Sequence, residues 1–146
     1  MKDIREHDPK IATQLIKDFE GCDLEAYRCS AGVWTIGYGH TGGVAPGDVV
    51  TQEQAEELLA DDLQKLYLQL CPVVKVPLSD GQFKAIMSLA FNIGAGAFSK
   101  STLLKKLNSG NYAGAASEFD RWVYAGGKVS KGLTHRRALE RSNFEE

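Results

Sequence analysis

EGCDLEAYRCSAGVWTIGYGHT, residues 20–41, is where the chain changes texture. In front of it Ile11, Leu15, Ile16 and Phe19 recur at helical spacing. Glu20 closes that amphipathic run, and Gly21 suits a helix end with positive φ. From Leu24 onward the residues favour strands: Tyr27, Val33, Trp34, Thr35, Ile36 and Tyr38 are aromatic or β-branched. Ser30-Ala31-Gly32 interrupts them as a turn does. The spacing predicts a helix that delivers a carboxylate to the base of a small β-hairpin, at a junction between lobes.

The rest of the chain gives that junction a setting. With 146 residues it is large enough to bury a core without staples, and one compact domain is expected. A composition of 43% hydrophobic and 25% charged residues is that of an ordinary soluble protein. The net charge of −2 shows no basic excess, which argues against a nucleic-acid partner. Acidic residues crowd positions 53–62 and basic ones the last third, chiefly as solvated helix faces. No run approaches the ~20 apolar residues of a membrane span, so stable membrane insertion is not expected. The N-terminus MKDIREHDPK is charged, lacks an apolar stretch and does not read as a signal peptide.

Residues 10–20 read as the first helix and residues 24–50 as a small sheet broken by Gly32, Gly42-Gly43 and Pro46-Gly47. Thr51-Gln52-Glu53-Gln54 has the form of a capping box. Behind it Ala55, Leu58, Leu59, Leu63, Leu66 and Leu70 mark one face of a long helix, a strut between lobes. After Pro72 and Pro77 everything reads as helix: one begun by Ser79-Asp80, one from Ser101, one capped by Asn111, and a last from Leu133 to Phe144. The expected fold class is α+β. A single domain, 1–146, would comprise an N-terminal helix and β lobe (1–50), a connecting helix (51–71) and a helical lobe (72–146), with a cleft between the lobes.

Three cysteines, Cys22, Cys29 and Cys71, make an odd count. Cys71 reads as a half-buried structural thiol at the end of the strut. No CxxC occurs and His7, His40 and His135 are scattered, so no metal site and no cofactor are expected.

Taken together, Glu20, Cys29 nine residues on, Thr35 fifteen on and the following Gly37-Tyr38-Gly39-His40 resemble the phage-type lysozymes, the muramidase endolysins of glycoside hydrolase family twenty-four. Similar blocks recur along nearly the whole chain: Thr51 to Leu63, Phe91-Asn92-Ile93-Gly94, Ser101-Thr102-Leu103-Leu104, and Arg121-Trp122 through Gly132-Leu133. The resemblance implies a lysozyme-like fold and hydrolysis of the β-1,4 bond between N-acetylmuramic acid and N-acetylglucosamine in peptidoglycan, with inversion. It makes Glu20 the general acid and Thr35 the catalytic threonine, and it puts Cys29 where the family usually has Asp. It also implies that His40 pairs with Asp62, that Asn92 faces the cleft, and that an Arg of the last helix reaches the acid. Of the candidates Arg136 is preferred to Arg137.

Glycoside hydrolysis normally takes two carboxyl groups, one to protonate the leaving oxygen and one to stabilise or activate on the opposite face. A proton donor must hold its proton near neutrality, which partial burial favours and an ion pair opposes. Cys29 is the departure, because an ordinary thiol titrates near 8.5 and is mostly neutral at pH 7. Three readings stay open. Cys29 acts as a thiolate, activated by Arg136 or Arg28; or Thr35 orients the attacking water while Cys29 tunes the site; or Cys29 is a redox gate. A subgroup of the family has cysteines at the positions of Cys22 and Cys29, and the resemblance implies a disulfide between them that locks the enzyme. Asp23 and Glu25 are fallback carboxylates, expected at the surface. Trp122 is read as core rather than as a sugar platform.

The expected enzyme is a monomeric lysozyme acting on peptidoglycan glycan strands, with no cofactor. It would be held in the host cytoplasm until release and would act in the periplasm. Export would then depend on a membrane-permeabilising partner, unless an export segment has been trimmed. Two rivals are a lytic transglycosylase, suggested by the missing second carboxylate, and a wall-binding homologue that has lost catalysis.

Overall fold

The computed structural model describes residues 1–146. Asp8 caps a 3-10 turn, Pro9–Ala12, which runs into α1, Thr13–Glu20. The first helix therefore becomes α-helical later than its apolar spacing suggests, because Pro9 and the Asp8 side chain set the tighter turn. It ends at Gly21, whose φ of 64° is open to glycine at little cost.

β1, Asp23–Arg28, pairs antiparallel with β2, Trp34–Gly37. Tyr27 stands opposite Thr35 and Arg28 opposite Trp34, with an irregularity between Asp23 and Tyr27. Residues 38–50, expected to extend this sheet, are instead mostly turns. Two isolated bridges, Ile36 to His40 and Glu25 to Val49, tie them back, with Ala26 N–H donating to Asp48 O at 2.9 Å and Val50 N–H to Leu24 O at 2.8 Å. Gly42-Gly43 and Pro46-Gly47 leave too little uninterrupted chain for a third strand.

α2, Gln52–Leu70, starts at a complete capping box formed by Thr51 and Gln54. Its 19 residues span about 28 Å and bury Ala55, Leu59, Leu63, Leu66 and Leu70. At its far end lies the helical lobe, built round α3, Asp80–Ile93, itself opened by a capping box of Ser79 and Gln82. α4 (Ala95–Ser99), α5 (Thr102–Asn108), α6 (Tyr112–Glu118) and α7 (Lys131–Glu145) wrap it. Phe83, Phe98, Phe119 and Phe144 are fully or nearly fully buried there, each contributing ~1.5–3 kcal/mol. No helix is long and apolar enough to cross a membrane.

The helical lobe is not wholly helical. β3, Tyr124–Ala125, and β4, Lys128–Val129, form a short hairpin with Tyr124 opposite Val129. Gly126 and Gly127, at φ 58° and 79°, make its two-residue turn. A pair of positive-φ glycines between Val-Tyr-Ala and Lys-Val is a hairpin signal that the surrounding helical pattern overshadowed.

Candidate active site

A groove of about 1030 Å³ separates the β lobe from the helical lobe. Glu20 enters it from the end of α1, and Tyr27, Cys29 and Thr35 come from the β1–β2 hairpin. Asn92 and Gly94 line it from the end of α3, while Trp122, Tyr124 and Ala125 form part of the far rim. The structure thus brings Glu20, Cys29, Thr35 and Asn92 to one cavity. Asp23 and Glu25 are exposed and absent from its lining.

Glu20 is held from the last helix. Arg136 Nη1 donates to Glu20 Oε2 at 2.6 Å, with the two side chains 8% and 18% exposed. The guanidinium also lies 4.8 Å above the Phe19 ring, one residue before the acid. On the other side Gly39, with φ 76°, packs against the carboxylate so closely that a Cβ there would stand 2.7 Å from Glu20 Oε1.

Arg136 is itself clamped. Its Nε donates to Glu140 Oε2 at 3.1 Å and its Nη2 to Ser88 O at 3.1 Å. Glu140, fully buried, also accepts from Arg137 Nη1 at 2.7 Å and from the Ser88 hydroxyl at 2.5 Å. Arg137 reaches in the other direction, to Trp122 O at 2.8 Å and to Asn92 Oδ1. Burial pushes the Arg137 guanidinium down from its ordinary value, with Glu140 the main opposing influence. Arg136 is therefore the partner of the acid, whereas Arg137 braces Asn92 and the strand entry at Trp122. Ser88 and Glu140 were not legible as site residues. A hint lay in the spacing, since Glu140 follows Arg136 and Arg137 by four and three positions on one helix.

The Cys29 thiol is held below its ordinary value. Backbone N–H groups of Val33 and Ala31 lead the causes. Neither Arg136 nor Arg28 is among the causes of this lowering. Arg136 is spent on Glu20, Glu140 and Ser88, and the Arg28 guanidinium lies 6.0 Å from the Trp34 ring. Thr35 is 3% exposed, and its hydroxyl donates to Val33 O at 3.0 Å. Tyr27, another residue not singled out from sequence, has its phenol raised by burial, with smaller contributions from Asp23, Glu20 and Cys29.

The resemblance implies a disulfide between Cys22 and Cys29; in this structure both are free thiols. All three cysteines are free, and Cys22 and Cys29 sit at opposite ends of β1. Seven residues of extended chain separate Cα atoms by roughly 20 Å, whereas a bridge needs about 4.4–6.8 Å. A bridge would therefore require the chain between them to curl. Cys22 is exposed, and its thiol faces Gln52 Oε1 at 3.8 Å.

His40 Nδ1 lies 2.8 Å from Asp62 Oδ2, and its Nε2 donates to Gly42 O at 2.8 Å. The pair lines a separate depression of about 340 Å³ beside the groove and ties the β lobe to α2. Nearby, Lys17 Nζ reaches Glu56 Oε2 at 2.5 Å, with Gln52 and Tyr38 completing the cluster. Trp122 is half-buried, packing on the core as expected while one part of it lines the groove.

Known proteins share this architecture. The family profile described as Phage lysozyme matches residues 17–140. An endolysin of Acyrthosiphon pisum secondary endosymbiont phage 1 is 52% identical over 135 residues, covering 90% of this chain and 92% of that protein. An endolysin of Bacillus phage PZA is 47% identical over 133 residues, covering 89% of this chain and 52% of that protein, so the chain spans about half its length. A crystal structure of a mutant P22 lysozyme superposes with a TM-score of 0.80 at 40% identity, covering 100% of this chain and 99% of that one.

Proposed function

This chain belongs to the phage lysozyme family, and we propose that its groove hydrolyses peptidoglycan through the residues that face one another across it. It is a muramidase of the phage endolysin type. The substrate bond on this reading is the β-1,4 link between N-acetylmuramic acid and N-acetylglucosamine, and 1–146 works as one two-lobed domain.

One observation carries the assignment of roles: Glu20, mostly withdrawn from water, is pinned at the junction of the lobes by Arg136 at 2.6 Å. Glu20 donates its proton to the glycosidic oxygen as the bond to the anomeric carbon breaks. Water attacks the opposite face of that carbon. The Thr35 hydroxyl donates to Val33 O, which leaves its lone pairs to accept a hydrogen from that water. Cys29, eased towards thiolate by the Val33 and Ala31 N–H groups, takes up the water's proton in place of the usual carboxylate. Attack opposite the departing oxygen inverts the anomeric centre. Asn92, its Oδ1 held by Arg137, turns its amide N–H groups towards the sugars.

Clearing of a purified cell-wall suspension tests this reading. Glu20→Gln should fold like the parent and clear nothing. Mass spectrometry of the parent's products should show reducing muropeptides that have gained water. A 1,6-anhydro product would point to a lytic transglycosylase, and an active Glu20→Gln would remove the acid from its role. On the same reading the enzyme is a monomer, stored in the host cytoplasm and acting in the periplasm. Sedimentation and fractionation of infected cells before and after lysis check both points.

A further inference from the structure

The groove's chemistry uses Glu20 and Arg136 and leaves a second, wholly buried carboxylate without a task. Glu140 has no exposed surface, yet three donors converge on it: Arg136 Nε at 3.1 Å, Arg137 Nη1 at 2.7 Å and the Ser88 hydroxyl at 2.5 Å. Burying an ion is expensive unless it is paired and hydrogen-bonded, and a buried pair is seldom better for stability than apolar residues of the same volume. α7 could have closed on α3 through leucines.

We propose that Glu140 is a positioning residue for the general acid: it fixes Arg136 against Glu20 and offsets the charge of that guanidinium, so that Glu20 can hold the proton it must donate. This rests on the reading of Glu20 as the acid. The charges form an alternating chain, Glu20, Arg136, Glu140, Arg137. The chain is neutral when Glu20 is ionised and carries one positive charge when Glu20 is protonated. Without Glu140 the protonated form would carry two positive charges in a desolvated site, and Glu20 would give up its proton more readily. Geometry adds a second effect. Arg136 has one nitrogen on Glu20, one on Glu140 and one on Ser88 O, so its planar fork cannot turn while Glu140 stays in place.

The other charged or titratable groups near the acid are few. α7 brings Arg136 and Arg137, while β1 and the turn after it bring Asp23, Tyr27 and Cys29; Tyr27 lies within electrostatic reach of Glu20, Asp23 and Cys29, and Arg137 of Glu20, Arg136 and Glu140. α3 brings only the neutral Ser88 and Asn92. Against Glu140 itself stand Arg136, Arg137 and the Ser88 hydroxyl.

The test is the pH profile of wall hydrolysis, with folding of each variant followed by circular dichroism. Two carboxylates sharing one guanidinium lie roughly 6–8 Å apart, where losing one charge moves the other group by about one pH unit. Glu140→Gln should therefore shift the alkaline limb about one unit lower, roughly a tenfold loss of the protonated acid at its upper edge. Arg137→Gln removes a positive charge instead and should shift the same limb upward. Glu140→Asp, which keeps the charge, should restore the parental limb even if it melts earlier. A purely structural Glu140 would lower the melting temperature of both replacements and leave the limb where it was; that result, or shifts of the same sign in Glu140→Gln and Arg137→Gln, overturns the proposal. Should Glu140→Gln yield no folded protein, the Arg137→Gln limb decides alone: upward supports, unmoved or downward refutes. An active Glu20→Gln would instead sink the underlying reading.

Discussion

Replacing Gly39 by Ala should cripple the enzyme far more than it destabilises it. Gly39 sits at φ 76°, and a left-handed conformation costs an alanine about 1–2 kcal/mol. For a chain of this size that lowers the melting temperature by about 2–8 °C. The added methyl would stand 2.7 Å from Glu20 Oε1, inside van der Waals contact by roughly 0.5–0.7 Å. A free carboxylate would swing aside, but Oε2 of this one is bonded to Arg136 at 2.6 Å. The displacement therefore falls on the acid's alignment with the sugar oxygen. Misplacement on the scale of 1 Å costs on the order of 10²-fold in rate, so a loss of about 30- to 100-fold is expected. Turbidity clearance of cell walls measures the rate, and thermal melting followed by circular dichroism measures the fold. A Gly39→Ala enzyme that keeps the parental rate would show that the acid is not held where the geometry puts it.

Glu56 lies below its ordinary carboxylate value because Lys17 donates to it, and Lys17 is raised by the same bond. A depressed carboxylate adds stability that is complete above about pH 4.5 and disappears as the pH falls through the folded value. Glu56→Gln should accordingly narrow the difference between urea midpoints at pH 7 and pH 3; an unchanged difference would rule this out. His40→Ala strands Asp62, 22% exposed in its side chain, and should cost about 1–3 kcal/mol by urea unfolding, with a value under ~0.5 contradicting a structural tie. The Cys29 thiol, lowered by the Val33 and Ala31 N–H groups, should be half-alkylated by iodoacetamide at a lower pH than exposed Cys22, as read by peptide mass spectrometry. Equal midpoints would leave Cys29 an ordinary thiol.

Much of the architecture was decided by neighbours a few residues apart, and so could be read from the letters. Thr51, Ser79, Ser101 and Asn111 begin their helices by accepting from the backbone N–H three positions on, and Gln54 and Gln82 reach back to the N–H groups of Thr51 and Ser79. The stripe from Ala55 to Leu70 sets the face that α2 buries, and Gly21 ends α1 where Glu20 must emerge. The β3–β4 hairpin is equally local, turning at Gly126-Gly127 between stretches of helical pattern.

The site's electrostatics were another matter. Glu20 meets Arg136 across 116 positions, and whether an ion pair at that distance forms depends on how α1, α3 and α7 pack. No pattern in α7 shows that Glu140 is sealed from water between two arginines, because burial is a property of what lies on the far side. The acidity of Cys29 is set by backbone N–H directions at Val33 and Ala31, which every residue but proline carries and no letter encodes. Even the separation of Cys22 from Cys29 followed from β1 being extended, where a curled chain of the same sequence would have put the two thiols side by side. Short-range bonding chose the elements; long-range packing chose which charges they bring together and how dry those charges are.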